Sequence, residues 1–190
     1  MTTATTTTLT TPDGPFSIAV ADGAVLASGW TDDIASLVVL VHPTLRPTSV
    51  RHVTPRPDGG TAAQGSDDAT LADAVKAVDA FYAGDPYAAG RVPVRQRSGA
   101  YREHAWEVLR SFPPGAPVTY TEYAARTGRP AAVRAAAGAC AMNAAALFVP
   151  CHRVLRSDGS LGGFRYGLAI KESLLQRESA VAESAVAVGR

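Results

Sequence analysis

Residues 119–141 have the sequence TYTEYAARTGRPAAVRAAAGACA and predict two short helices in close succession. Thr119 and Glu122 form a capping box, so the first helix begins there and ends near Gly128. Pro130 stands where the first turn of a following helix tolerates proline, and we expect that helix to continue to Ala141. Two short helices joined by a glycine-containing turn of three or four residues predict a helix-turn-helix.

The second of these helices is unusually slim. Alanine and glycine fill most of its positions, and Arg134 is its one long side chain. One interpretation is a tightly packed core helix with a solvated arginine. The other is a helix that approaches nucleic acid closely. It lacks the polar side chains that read bases in the major groove, but it suits the narrower minor groove, where Arg134 would enter the base stack.

The remaining pattern divides the chain into an α/β scaffold domain over 1–95 and a mainly α domain over 96–190 that holds the helix-turn-helix. The first domain is expected to contain strands over Phe16–Val20 and Ala24–Ser28 around an Asp22-Gly23 turn, a strand over Leu37–Val41, an exposed loop over Arg56–Asp68 and a helix over Leu71–Tyr82. The second is expected to contain a helix over Tyr101–Phe112, a strand over Leu147–Val149, a Gly-rich loop over Ser160–Gly167, a helix from Leu168 to Glu178 and a frayed tail after Ser179.

Composition excludes several classes of protein. The chain has 190 residues, of which 46% are hydrophobic and 18% charged, so general disorder is disfavoured. No apolar stretch approaches the ~18 residues of a membrane span, and the threonine-rich start lacks a secretory pattern. Two cysteines make neither a disulfide framework nor a zinc site, and His42 and His52 are interpreted as solvated. We therefore expect a cytoplasmic protein without a metal.

Charge is distributed unevenly along the chain. Residues 1–95 carry 6 basic and 10 acidic side chains, whereas residues 96–190 carry 12 basic and 7 acidic ones. A basic second half is typical of a region that meets a polyanion.

Cys151 lies in the most informative stretch, Pro150-Cys151-His152-Arg153-Val154. A lone cysteine in an apolar setting is most often inert packing. Here Arg153 and Arg156 are expected to supply positive charge that favours a thiolate, and His152 is adjacent. Because neighbouring side chains of an extended backbone point apart, His152 would reach the sulfur by a turn or through a water.

These residues resemble the O6-alkylguanine-DNA alkyltransferases, the methylated-DNA–protein-cysteine methyltransferases. The signature is an asparagine, Asn143, followed after seven residues by Cys-His-Arg-Val. The resemblance covers about residues 98–178, with weak support over 11–97. Its further motifs are the start of a hairpin at Thr11–Phe16, the turn Phe112–Gly115 before Tyr120, Arg134 seventeen residues before Cys151, the loop Gly162–Gly167 and the terminal helix Lys171–Glu178.

The resemblance implies irreversible, cofactor-free transfer of an alkyl group from O6 of guanine in double-stranded DNA to Cys151, which consumes the protein. The implied catalytic set is Cys151 as nucleophile, His152 as proton acceptor through a water, Glu178 orienting His152, and Asn143 bracing the turn. The implied substrate- and DNA-binding set is Tyr120, Arg134, Val154, Phe164 and Arg165. Tyr120 would help rotate the nucleotide outward and Arg134 would fill the gap in the base stack. The backbone carbonyls of Cys151 and Val154 would read the guanine amino group.

The chain departs from the family pattern at three positions. Ala144 replaces the proline that commonly follows the asparagine, so a looser turn is expected. Phe164 replaces a common tyrosine and removes a hydroxyl from the pocket wall. Cys140 is not a family signature and is interpreted as a small core residue.

Two other functions stay open beside repair. A lesion sensor of the alkyltransferase-like type resembles this pattern but replaces the cysteine that is present here. A helix-turn-helix transcription regulator would carry polar base-reading side chains and a dimer element, and neither is evident. We expect a monomer in solution that can self-associate on DNA, without membrane contact.

Overall fold

The N-terminal half is built on a four-stranded sheet. The computed structural model describes residues 2–54 and 65–188, with side chains described to residue 180. The strand order is β3-β2-β1-β4, in which β1–β2 and β2–β3 are antiparallel and β1–β4 is parallel. The strands are β1 Thr3–Thr11, β2 Gly14–Ala21, β3 Ala24–Gly29 and β4 Ser49–His52, and the helices of this half are α1 Ile34–Leu40 and α2 Ser66–Tyr82.

The C-terminal half is mainly helical. Its elements are α3 Ala100–Arg110, β5 Val118–Thr119, α4 Tyr120–Arg126, α5 Val133–Ala141, β6 Val154–Leu155 and α6 Leu168–Val188, with short 3₁₀ turns at Ala88–Arg91 and Cys151–Arg153. The predicted fold class, α/β followed by mainly α, is confirmed. One apolar core runs through both halves, because Phe16 and Ile18 of the sheet belong to the same buried cluster as Leu109 and Phe148. The domain boundary at 95/96 stays a prediction.

Several predicted elements are present. The Asp22-Gly23 hairpin joins β2 to β3, and the hairpin expected near Thr11 joins β1 to β2. The Thr119–Glu122 capping box opens α4. The connection from α4 to α5 takes six residues, 127–132, rather than three or four, and α5 begins at Val133, so Pro130 lies in the connection and not in the first helical turn.

The strand predicted over Leu37–Val41 is wrong. This segment lies in α1 and its C-cap, and the Asp33 carboxylate accepts a hydrogen bond from the Ser36 N–H at 3.2 Å to cap the helix. Leu37 and Val41 are buried one helical turn apart, whereas Val39 between them is 63% exposed. A strand would have buried all three on one face, so the helical period is decisive.

Three further boundaries differ from prediction. Residues 147–149 form a tight turn rather than a strand: Leu147 has φ of 73° and the Val149 N–H donates to Ala145 O at 2.8 Å. The final helix continues to Val188 instead of fraying after Ser179, since residues 179–188 contain no helix breaker. Within the predicted loop Arg56–Asp68, residues 56–64 lie outside the described residues, while Ser66–Asp68 form the acidic first turn of α2.

Candidate active site

A cavity of about 350 Å³ opens beside α5 and reaches the Cys151 thiol. The tight turn at 147–149 and Pro150 lead into the 3₁₀ turn that carries Cys151, so the thiol is presented by a turn and not by a strand end. The walls come from α4, α5 and the loop before α6. Besides Cys151, the lining residues are Tyr120, Ala137, Cys140, Ala141, Asn143, Ala146, Gly163, Phe164, Arg165 and Tyr166.

Asn143 hydrogen-bonds across the turn that carries Cys151. Its amide nitrogen donates to Cys151 Sγ at 3.2 Å and to Val149 O at 2.8 Å. Its Oδ1 accepts from the Ala145 N–H at 3.1 Å and from Gln96 Nε2 at 3.0 Å. Asn143 is 3% exposed, so these bonds are made away from water and fix the sulfur relative to the backbone.

His152 and Glu178 form the buried pair that the sequence predicted. His152 Nε2 lies 2.9 Å from Glu178 Oε1, and both side chains are fully buried. With Nε2–H donating to the carboxylate, Nδ1 carries the free lone pair. That Nδ1 is buried and has no hydrogen-bond partner among the described residues.

Arg153 has a different role from the one predicted. Its guanidinium forks onto Glu178, with Nε at 3.0 Å from Oε2 and a terminal nitrogen at 2.8 Å from Oε1, and it also donates to Phe112 O at 2.5 Å. The positive charge of Arg153 is therefore paired with the Glu178 carboxylate and not directed at the Cys151 thiol. Burial alone would raise the pKa of Glu178, but the hydrogen bonds and charges of His152 and Arg153 outweigh it and lower that pKa to about 2. Since Arg153 already neutralises the carboxylate, burial can lower the pKa of His152 and keep the ring neutral.

The cations that act on the thiol are Lys171 and Arg165. Burial raises the pKa of Cys151 above its ordinary value, and the Asn143 hydrogen bond, Lys171 and Arg165 offset this rise only in part. Lys171 is fully buried and donates to the carbonyl oxygens of Val154, at 2.6 Å, and Leu161. The prediction that Arg153 and Arg156 favour the thiolate is therefore wrong, because sequence adjacency did not reveal which charges face the sulfur.

The predicted binding residues divide into three groups. Tyr120, Phe164 and Arg165 line the cavity. Arg134 lies in the first turn of α5, exposed and without an intramolecular hydrogen bond or ion pair among the described residues. Val154 does not line the cavity: its side chain is buried, its N–H donates to Cys151 O, and its carbonyl accepts from Lys171.

Ala144 does not loosen the turn. Its N–H donates to Gln96 Oε1 at 2.8 Å and its carbonyl accepts from the Ser28 N–H at 2.9 Å. A proline has no N–H and would forfeit the first of these bonds. Gln96 and Ser28 hold this segment by hydrogen bonds that sequence reasoning missed, and no local motif marks either of them.

Cys140 shares the cavity with Cys151. It is half-buried and packs against the core, as interpreted, yet it also lines the cavity wall. Burial raises the pKa of its thiol well above the ordinary value. Among the described residues, no three His, Cys, Asp or Glu side chains are grouped as a metal site, and no helix there is long and apolar enough to cross a membrane.

The fold combines an α/β half with a mainly helical half, and the site combines a buried cysteine, Cys151, with a buried histidine–glutamate pair. Residues 100–180 match the family model described as 6-O-methylguanine DNA methyltransferase, DNA binding domain. The chain is 46% identical over 88 residues to the bifunctional transcriptional activator/DNA repair enzyme Ada of Escherichia coli, a match covering 46% of this chain and 25% of that protein.

Two further comparisons extend this similarity. The methylated-DNA–protein-cysteine methyltransferase of Haemophilus influenzae is 36% identical over 102 residues, which are 54% of this chain and 57% of that protein. These matches therefore span from a quarter to just over half of the curated relatives. A solved structure of a Mycobacterium tuberculosis O6-methylguanine methyltransferase variant superposes with a TM-score of 0.66 at 25% identity and covers 93% of both chains.

Proposed function

We propose that this protein repairs DNA by transferring an alkyl group from O6 of guanine in duplex DNA directly and irreversibly to Cys151. It acts once, needs no cofactor or metal, and works in the cytoplasm as a methylated-DNA–[protein]-cysteine S-methyltransferase. The observation that carries the proposal is that the Asn143 amide donates to Cys151 Sγ at the cavity while the buried His152 is paired with Glu178. In the relay that we propose, a water joins the sulfur to His152 Nδ1.

The relay assigns each proton a route. The thiol proton passes through the water to His152 Nδ1, while Glu178 holds the opposite ring nitrogen. The sulfur then attacks the alkyl carbon, a C–S bond forms, and the C–O bond breaks with its electron pair left on the guanine.

Tyr120 is the candidate acid for the departing base. Burial raises the pKa of Tyr120 to about 12, so its hydroxyl stays protonated at neutral pH and lines the same cavity as Cys151. It donates its proton to the guanine, and solvent returns the His152 proton to Tyr120. The products are neutral guanine and an S-alkylcysteine.

DNA binds along α4 and α5 from the minor-groove side. Arg134 is exposed and free of intramolecular hydrogen bonds among the described residues, so it can enter the stack without breaking a contact. The alanine-rich face of α5 lets the duplex approach until the rotated nucleotide enters the cavity. The protein is a monomer in solution and can associate with further copies on DNA.

The lesion-sensor hypothesis predicts the same docking without transfer, and the regulator hypothesis predicts sequence readout. Single-turnover incubation with a duplex carrying one O6-methylguanine separates all three, with nucleoside analysis as the readout. We expect one lesion converted to guanine per protein, and none with Cys151→Ala, whereas Cys140→Ala retains conversion. Lesion binding without conversion by the unaltered protein would support a sensor. Preference for one undamaged sequence would support a regulator.

A further inference from the structure

The end of β3, Ser28-Gly29-Trp30, contacts both walls of the cavity although it belongs to the N-terminal half. Ser28 is bound to the segment between Asn143 and Cys151 by three bonds. Its N–H donates to Ala144 O at 2.9 Å, its carbonyl accepts from the Ala146 N–H at 3.1 Å, and its hydroxyl donates to Ala146 O at 2.8 Å. The chain leading to the nucleophile is thus bound to this strand.

Gly29 receives the ring of Tyr166, which lines the cavity from the loop before α6. The Tyr166 hydroxyl donates to Ser28 O at 3.2 Å. A Cβ atom on Gly29 would lie 1.9 Å from the Tyr166 oxygen and 2.0 Å from Cζ. The backbone of Gly29 is extended and suits any residue, so the close approach of Tyr166, and not a special conformation, requires glycine here.

Trp30 completes the contact. Its ring lies 5.6 Å from Tyr166 and 6.0 Å from Phe164, centroid to centroid, and these two rings lie 5.8 Å apart. Trp30 is itself anchored, because Nε1 donates to the Tyr82 hydroxyl at 2.9 Å. Edge and tilted ring pairs of this kind add specific geometry to apolar burial.

We infer that Ser28, Gly29 and Trp30 are positioning residues for alkyl transfer: they seat Tyr166, and through it place the wall formed by Gly163–Tyr166. This inference rests on the proposed function. An alanine at position 29 forces the Tyr166 ring to retreat by about 1.5 Å to reach ordinary contact distance. Among the described residues Gly29 makes no hydrogen bond to Asn143, Cys151, His152 or α5, so the substitution acts on the site through the pocket wall, which includes Arg165.

The test compares Gly29→Ala with the unaltered protein in single-turnover transfer from an O6-methylguanine duplex. We expect the maximal transfer rate to fall by up to about 100-fold, as misplacement by about 1 Å does elsewhere. Affinity for undamaged duplex should stay unchanged, because α5 keeps its place, whereas a general loss of structure would lower it. Gly99→Ala is the matched control, since a Cβ there meets nothing within 4 Å.

The double variant Gly29→Ala/Tyr166→Ala removes the collision. It should transfer within about 2-fold of Tyr166→Ala alone, a coupling that independent sites do not show. The inference is overturned if Gly29→Ala transfers at the unaltered rate, or if it slows transfer equally with and without Tyr166. If Gly29→Ala fails to fold, recovery of folding in the double variant supports the proposed contact between Tyr166 and Gly29. Continued failure to fold overturns it. Absence of transfer by the unaltered protein would refute the proposed function instead.

Discussion

Replacing Glu178 by glutamine should cost about 3 kcal/mol of folding stability at pH 7. The folded-state pKa of about 2 lies below the ordinary 4.5, and this difference corresponds to about 3 kcal/mol. The geometry gives a similar figure, because Glu178→Gln leaves the Arg153 guanidinium buried without its counter-charge, a loss of about 3–5 kcal/mol.

The loss of folding stability caused by Glu178→Gln should be larger at neutral pH than at acidic pH. A carboxylate whose pKa is lowered on folding contributes its full stability above pH 4.5, and this contribution is lost as the pH falls toward 2. The difference in unfolding free energy between the unaltered protein and Glu178→Gln should therefore be largest near neutrality and shrink below pH 4.5.

Urea unfolding at a series of pH values measures this difference. Glu172→Gln is the matched control, because Glu172 is exposed on the same helix and its carboxylate hydrogen-bonds only Gln176, at 3.5 Å, among the described residues. We expect the control to change stability by less than about 0.5 kcal/mol. A Glu178→Gln difference below about 1 kcal/mol at pH 7, or one that stays constant down to pH 3, would refute the assignment of Glu178 as the buried counter-charge.

Three further experiments test the site. Lys171→Met should raise the pKa of the Cys151 thiol and slow its alkylation by iodoacetamide at pH 7, whereas Lys76→Met, on the exposed face of α2, should not. If the alkylation rate of Cys151 is the same in Lys171→Met as in the unaltered protein, Lys171 does not act on the thiol. Asn143→Ala should destabilise the fold by about 3 kcal/mol in thermal or urea unfolding, because Asn143 makes four hydrogen bonds around Cys151. Gln96→Ala should cost about half as much, because Gln96 makes two hydrogen bonds to the same segment. Equal losses of stability would show that Asn143 is not the main connection. Arg134→Ala should leave unfolding unchanged but weaken duplex binding and lower its salt dependence by about one charge, with Arg91→Ala as control; unaltered binding and transfer would exclude insertion of Arg134.

The sequence predicts which residues gather around Cys151 better than it predicts the distant contacts that hold them in place. The family resemblance, carried by the spacing from Asn143 to Cys151 and by the terminal helix with Glu178, grouped these residues, and the structure brings Asn143 to Cys151 and Glu178 to His152. The capping box at Thr119 is equally local, because its hydrogen bonds lie within one helical turn. A short-range pattern such as this capping box can be predicted without tertiary information.

What the sequence did not reveal depends on contacts between distant segments. Arg153 stands next to the nucleophile in sequence, yet its side chain turns to Glu178, 25 residues on. Gln96 and Ser28 reach the active site from 47 and 118 residues away, and neither residue type marks such a role. The Leu37–Val41 run was misassigned because five apolar residues fit a strand and a helix alike until burial separates Val39 from its neighbours.

The central claim is that Cys151 itself receives the alkyl group. Intact mass followed by peptide mapping, after incubation with an O6-methylguanine duplex, tests it directly. We expect a gain of one methylene, about 14 Da per protein, located on the peptide that contains Cys151 and absent from Cys151→Ala. No gain in mass, or a gain located on Cys140, would contradict it.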